Sequence, residues 1–141
     1  MSGDLLLLNE VMTKEEKVNY WIEAAEKDWI VAGHLLEKGD YPYALFFGHL
    51  TIEKLLKAIC VNKFDEPPPF THRLVYLAEK AELDISSERM EMLEIITDFN
   101  LRTRYPDEKF LFYKKCSLEF TETYLKKIKD IKEWLLKQVQ F

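Results

Sequence analysis

The chain has 141 residues and a formal net charge of −5, with 48% hydrophobic and 32% charged residues. This length fits one domain with a buried core. Four glycines and five prolines supply too few turn residues for a many-stranded all-β fold, and the acidic balance argues against a broad basic surface for duplex DNA.

Several classes of site are disfavoured by the absence of their motifs. Cys60 and Cys116 lie far apart within helical patterns and outside any zinc-binding spacing, which indicates buried, reduced thiols. The sequence contains no glycine-rich phosphate loop and no nucleophile elbow, so we expect no cofactor. The four consecutive leucines near the N-terminus have acidic flanks and predict neither a signal peptide nor a membrane span, which favours a cytoplasmic protein.

The first long helix is predicted to begin near Thr13 and to end at the Gly39–Pro42 turn. Thr13 and Glu16 have the spacing of a capping box, in which each side chain accepts a hydrogen bond from the other residue's backbone N–H. Apolar residues follow at alternating intervals of four and three, which places them on one buried stripe: Val18, Ile22, Ala25, Trp29, Ala32 and Leu36.

The second helix, from Pro42 to about Lys63, is apolar on two sides. One face carries Leu45, Gly48, Ile52, Leu55, Leu56 and Ile59, and the broadly opposite stripe carries Tyr43, Phe46, Phe47, Leu50 and Val61. A helix with two apolar sides is normally covered on both. Either it is the central helix of a bundle, or its second stripe contacts another subunit.

A proline-rich loop at residues 65–70 follows, because consecutive prolines stiffen and extend the chain. Three further helices are predicted after it: a short one at about Thr71–Ala81, one at about Glu88–Arg104 that Pro106 stops, and a last one at about Lys114–Gln138.

These elements predict one all-α domain over residues 1–141. Its fold is an up-and-down bundle of four long helices plus one short helix. Residues 1–12 form an N-terminal extension.

Two arginines close the fourth predicted helix, in the stretch NLRTRYPDE. At about 100° per residue around the helix axis, Arg102 lies opposite Leu93, whereas Arg104 lies about 20° from Leu93. Arg102 shares a face with Asp98, four residues earlier, so a surface ion pair worth about 0.5 kcal/mol is expected. Arg104 is predicted to point towards the apolar side, where its permanent charge needs a partner. A buried acid, an anionic ligand, or exposure through helix fraying would each satisfy it.

His49 and Glu53 lie one turn apart near the edge of the second helix's main apolar face. This spacing can supply two metal ligands, but a di-metal bundle needs a Glu-x-x-His motif on each of two helices and two further carboxylates. No metal site is therefore expected, and a hydrogen-bonded pair at the core edge is favoured. His72 is interpreted as a capping or packing residue.

Three segments together resemble a HEPN domain (higher eukaryotes and prokaryotes nucleotide-binding): GDYPYALFFGHLTIEKLLKAI, THRLVYLAEKA and FNLRTRYPD. The resemblance implies a compact bundle of four or five helices that usually pairs as a homodimer. It also implies a gene often found beside a small nucleotidyltransferase, as in toxin–antitoxin modules. In that light, the second stripe of the second helix is a candidate subunit interface.

Many members of that family are metal-independent ribonucleases. Their signature is an arginine followed, after four to six arbitrary residues, by a histidine. Neither Arg102 nor Arg104 has a histidine at that spacing, and no histidine follows His72 in the sequence. The motif imidazole, a side chain suited to proton transfer near neutral pH, is therefore missing. This departure argues against nuclease activity and against an enzyme.

The leading interpretation is a dimeric, non-catalytic HEPN-type protein that binds a nucleotide or a small nucleotidyltransferase partner through an arginine-containing groove. The candidate ligand-binding residues are Arg104, Arg102, Tyr105, Asp107, His49, Glu53 and Lys54. Two alternatives stay open. One is a ribonuclease with a degenerate motif that acts on RNA through Arg102, Arg104 and Asp107. The other is a purely structural helical dimer whose arginines only stabilise the bundle.

Overall fold

Six helices account for most of the chain that the structure, a computed structural model, describes over residues 11–139. In chain order they are α1 (Lys14–Lys38), α2 (Tyr41–Phe64), α3 (Leu74–Lys80), α4 (Ser87–Arg104), α5 (Pro106–Lys115) and α6 (Leu118–Gln138). The prediction of an all-α fold is confirmed. Most of the predicted N-terminal extension lies outside the described residues.

The ends of α1 follow from its predicted caps. The Thr13 hydroxyl accepts a hydrogen bond from the Glu16 N–H (3.2 Å), and the Glu16 carboxylate accepts one from the Thr13 N–H (3.1 Å), so the capping box is confirmed. At the other end Gly39 adopts φ 81°, a left-handed conformation that glycine adopts without strain. The N–H groups of Gly39 and Asp40 then bind the carbonyls of Leu36 and Leu35.

Helix α2 is the centre of the bundle, since it contacts each of the other five helices. Its main apolar face is fully covered, and Val61 of the second stripe is buried as well. Tyr43, Phe46, Phe47 and Leu50 of that stripe are only half-buried in the isolated chain. The central-helix alternative is therefore correct for most of α2, while the N-terminal half of its second stripe keeps accessible apolar surface.

Helix α5 was not predicted. Pro106 was interpreted only as the residue that stops α4, but it also begins α5 at a first-turn position, where its missing N–H has no helical partner to lose. Phe112 is fully buried and holds α5 against the bundle by stacking on Phe99 of α4, with ring centroids 5.6 Å apart. The stretch that follows the two arginines therefore turns back as a helix.

The two cysteines are free and buried, as predicted. The Cys60 thiol donates a long hydrogen bond (3.8 Å) to the Leu77 carbonyl. Burial raises the pKa of Cys60, and it raises the pKa of Cys116 to about 11. Both thiols are therefore protonated and unreactive near neutral pH. None of the described helices is long and apolar enough to cross a bilayer.

Gly48 lets α2 and α6 approach closely. A Cβ atom placed on Gly48 would lie 2.8 Å from Cδ1 of Ile128, whereas one placed on Gly33 of α1 would meet nothing within 4 Å. The two glycines thus have opposite roles, although both lie inside helices.

We expect Gly48→Val to lower the free energy of unfolding by about 1–3 kcal/mol, because the added methyl groups overpack the α2–α6 contact. The control Gly33→Ala should raise it by about 0.5–1 kcal/mol, since alanine favours an exposed helix interior. Urea denaturation of both variants measures this difference. Equal effects at the two positions would contradict the packing described here.

Candidate functional site

His49 lies at the centre of a buried polar cluster and is fully inaccessible to solvent. Its Nε2 lies 2.8 Å from the His72 carbonyl oxygen, which can only accept, so Nε2 carries the proton. Its Nδ1 is then an acceptor and faces the Asn100 amide nitrogen at 3.4 Å. This pattern assigns His49 as a neutral imidazole. Burial is the largest effect on its pKa and lowers it from the ordinary value of 6.5.

Glu53 places a carboxylate beside that imidazole at only 4% exposure. One oxygen accepts a hydrogen bond from Nδ1–H of His72 (2.7 Å), and the other accepts one from the Lys57 ammonium (3.1 Å). The Lys57 side chain lies over the Trp21 ring, with Nζ 5.6 Å from the ring centroid. Because a buried carboxylate without a partner is costly, these two donors stabilise Glu53 in the core.

His72 connects this buried cluster to the surface. Its backbone carbonyl and its ring Nδ1 are both bound, yet 49% of its side chain is exposed. It lies just before α3, in a segment where the Arg73 N–H also binds the Thr71 hydroxyl (3.1 Å). We call His49, Glu53, Lys57, His72 and Asn100 the histidine network.

Asn100 brings α4 into the network. It is 1% exposed, and its amide NH₂ faces His49. Its Oδ1 is buried without a hydrogen-bond partner among the described residues. Such atoms are rare in folded proteins and often mark a place where water or a ligand group binds.

Arg104 is exposed, so the prediction that it points into the apolar side of its helix was wrong. The buried side of α4 is formed by Leu93, Ile96, Phe99, Asn100 and Thr103. Its centre lies about 80° from Arg104, and the helix ends at that residue. Arg104 nevertheless follows Asn100 by one turn, and its positive charge contributes to the lowered pKa of His49. The guanidinium therefore lies at the rim of the histidine network.

The neighbouring candidates occupy the surface around this rim. Nε of Arg102 binds the Asp98 carboxylate at 2.7 Å, which confirms the predicted ion pair. Tyr105 is 54% exposed, and Arg104 lies over its ring with the guanidinium carbon 5.8 Å from the centroid. Asp107 is exposed in the first turn of α5.

Two expectations about α2 need correction. His49 and Glu53 are 3.9 Å apart at their nearest atoms and make no direct hydrogen bond, because each is turned towards His72 instead. Lys54 lies apart from the network and binds Asp28 of α1 at 2.6 Å. Lys57 is the lysine that pairs with Glu53.

Sequence reasoning missed three members of the network. Lys57 follows Glu53 by four residues, a helical ion-pair spacing that could have identified it. His72 and Asn100 carried no comparable signal, since both reach His49 through contacts across long stretches of chain. Among the described residues there is no group of three or more side chains suited to hold a metal ion.

Comparison with known proteins agrees with this architecture. The family model described as HEPN domain matches residues 18–139. This chain belongs to the HEPN domain family. Among solved structures, the crystal structure of TT1696 from Thermus thermophilus is similar, with a TM-score of 0.74 and 20% sequence identity over 87% of this chain and 98% of that one. At that identity the likeness concerns the fold. No curated protein matches the chain.

In this HEPN domain the imidazoles and the arginines come from separate segments. Arg102 and Arg104 end α4, whereas His49 lies in α2 and His72 precedes α3. An imidazole does reach the surface of the network, although none follows the arginines in sequence.

The neutral state of His49 makes stability depend on pH. As pH falls below about 6.5, the unfolded chain takes up a proton at His49 before the folded chain does, because folding lowers its pKa. We expect the free energy of unfolding to fall by up to about 1.4 kcal/mol per pH unit from this residue alone. Urea denaturation between pH ~7 and ~5.5 measures the slope.

The matched variants for this measurement are His49→Gln and His34→Gln, since His34 is exposed on α1. His49→Gln should flatten the pH dependence, and His34→Gln should leave it nearly unchanged. The same slope in His49→Gln and in the unaltered protein would contradict a buried, neutral His49.

Proposed function

We propose that this HEPN domain is a dimeric, non-catalytic binding protein whose groove around Arg104 binds the phosphate of a nucleotide. The supporting observation is the position of Arg104, an exposed guanidinium at the rim of a buried polar network. A guanidinium binds phosphate through two parallel N–H donors, and it keeps its charge at every physiological pH.

The residues around Arg104 complete a site for a nucleotide. The exposed Tyr105 ring offers a face for base stacking, and the exposed Asp107 carboxylate can accept hydrogen bonds from a ribose or an amine. Arg102, which is bound to Asp98, adds a second positive group at the end of α4. His49 supports the rim through its contact with Asn100, one turn before Arg104, and Glu53 supports His49 through His72. Lys54 takes no part because it binds Asp28.

The same groove could be filled by a small nucleotidyltransferase partner in a toxin–antitoxin-like module. In that case a partner carboxylate would replace the phosphate at Arg104. The free, buried cysteines fit a reducing compartment, so we place this module in the cytoplasm. Recovery of a nucleotidyltransferase with the protein purified from its host would support this version, and its consistent absence would count against it.

For the dimer we propose an interface that joins the accessible part of α2 to α5. Phe110 and Leu111 are 64% and 63% exposed, and Lys109 of α5 lies over the Tyr43 ring of α2, with 5.3 Å between Nζ and the centroid. These residues form adjoining apolar surface of a kind that marks interaction sites. Sedimentation equilibrium tests this part, since a monomer at high concentration would rule it out.

A ribonuclease remains the second candidate, and one observation favours it. Although the family's motif histidine is absent, the exposed imidazole of His72 is held by a carboxylate, an arrangement that suits general acid–base catalysis. Incubation with mixed single-stranded RNA in EDTA tests it. Cleavage that both Arg104→Ala and His72→Gln abolish would replace the binding-only function, and intact RNA would exclude the enzyme.

We expect isothermal calorimetry to detect binding of at least one of ATP, GTP and AMP to the unaltered protein, with Arg104→Ala weakening it about tenfold or more. Loss of a hydrogen bond to a charged group costs about 1.5–3 kcal/mol, which corresponds to that factor. Because Arg104 is exposed, the variant should keep its fold and melting temperature.

The control is Lys129→Ala, which removes one positive charge from an exposed site on α6. It should bind as the unaltered protein does. If none of the three nucleotides binds, or if Arg104→Ala binds equally well, the nucleotide function is wrong. If instead only the melting temperature falls in Arg104→Ala, the arginine is a structural residue, as the purely structural dimer requires.

A further inference from the structure

His72 binds the core through one ring nitrogen, and about half of its side chain is exposed. Nδ1–H is bound to the Glu53 carboxylate at 2.7 Å, and the backbone carbonyl of the same residue is bound to His49 at 2.8 Å. Both the main chain and the ring are therefore fixed. Within residues 11–139, the hydrogen bonds of this ring involve Nδ1 only.

This arrangement selects a chemical form of the imidazole. Because a carboxylate accepts the Nδ1 hydrogen, the neutral ring must carry its lone pair on Nε2. Nε2 makes no hydrogen bond within residues 11–139, and 49% of the side chain is exposed, so small reagents have access to the ring. A histidine whose second nitrogen is oriented by a carboxylate has the arrangement that nucleophilic and base histidines require.

The other two histidines lack one or the other of these properties. His49 is fully buried, and its Nε2 carries a proton that binds the His72 carbonyl. His34 is exposed on α1, but it has no carboxylate partner within the described part of the chain. His72 alone among the three combines access with orientation.

The surroundings of His72 suit an anionic group. Glu53 is already paired with Lys57, so its charge is partly compensated inside the protein. Arg104 is exposed on α4, one turn after Asn100 of the same network. A guanidinium at this rim would attract a phosphoryl donor and bind its oxygens.

We propose that Nε2 of His72 is a phosphoryl acceptor, so that this surface carries a phosphohistidine site. This goes beyond the proposed function, because the donor need not contain a nucleoside. The donor class is a small phosphorylated molecule with a good leaving group, such as a phosphoramidate or an acyl phosphate.

The step balances without a further reactant. The Nε2 lone pair attacks phosphorus, the N–P bond forms, and the bond from phosphorus to the leaving group breaks with its electron pair on that group. Phosphoramidate reacts in the form whose nitrogen is already protonated, so the leaving group is ammonia. The proton on Nδ1 stays in place, and the Glu53 carboxylate compensates the positive charge that develops on the ring.

The test incubates the full chain with potassium phosphoramidate and follows each histidine by mass spectrometry, with ³¹P NMR to identify the isomer. We expect His72 to be labelled first, with phosphorus on Nε2, and His34 to lag behind it in the same sample. His72→Gln should remove the rapid phase. Glu53→Gln, which keeps a hydrogen-bond acceptor but removes the charge, should slow it, as should Arg104→Ala but not Lys129→Ala.

Equal rates at His34 and His72, or phosphorus on Nδ1 of His72, would overturn the proposal. Both of these results come from the unaltered protein, so they hold even if Glu53→Gln fails to fold. Nucleotide calorimetry on the same preparation separates the two ideas. If the unaltered protein binds no nucleotide but His72 is labelled rapidly, only the proposed function is rejected. If it binds a nucleotide but His72 is labelled slowly, only the phosphohistidine site is rejected.

Discussion

The buried carboxylate of Glu53 is the constraint on which the rest of this site depends. A carboxylate at 4% exposure needs hydrogen-bond donors, and here they come from one turn further along α2 (Lys57) and from the segment before α3 (His72). Once His72 is held there, its carbonyl binds His49, and His49 in turn faces Asn100 of α4. The Glu53 carboxylate thus aligns α2, the segment before α3 and α4. Arg104 lies at the edge of this cluster because it follows Asn100 by one turn of α4.

Local signals in the sequence were enough for most of the fold. Thr13 caps the start of α1 and Gly39 caps its end, each through contacts within a few residues. Their motifs could therefore be recognised directly in the sequence. Helix α5 was missed because Pro106 was interpreted only as the residue that ends α4, although proline is also common in the first turn of a helix. Arg102 was placed correctly because its partner, Asp98, lies one turn away on the same helix.

The site was harder to predict, since its contacts are long-range. An ideal helical wheel centred on Leu93 placed Arg104 inside, but the buried residues Ile96, Phe99 and Thr103 shift the centre of the buried side away from it. His72 is 19 residues from Glu53, and Asn100 is 51 residues from His49. These pairs come together only in the folded bundle, and no residue spacing in a single sequence predicts them. Membership of the HEPN domain family, matched over residues 18–139, fixes the architecture and leaves the chemistry to these side chains.

Long-range ¹H–¹⁵N NMR of the imidazole rings at mildly alkaline pH shows which nitrogen of His49 and of His72 carries the proton, and so tests the histidine network directly. We expect His49 to carry its proton on Nε2 and His72 to carry its proton on Nδ1. A neutral histidine side chain in water favours the proton on Nε2. A proton on Nδ1 of His72 therefore requires the hydrogen bond to Glu53. Finding the His72 proton on Nε2, or the His49 proton on Nδ1, would contradict the network on which the proposed site rests.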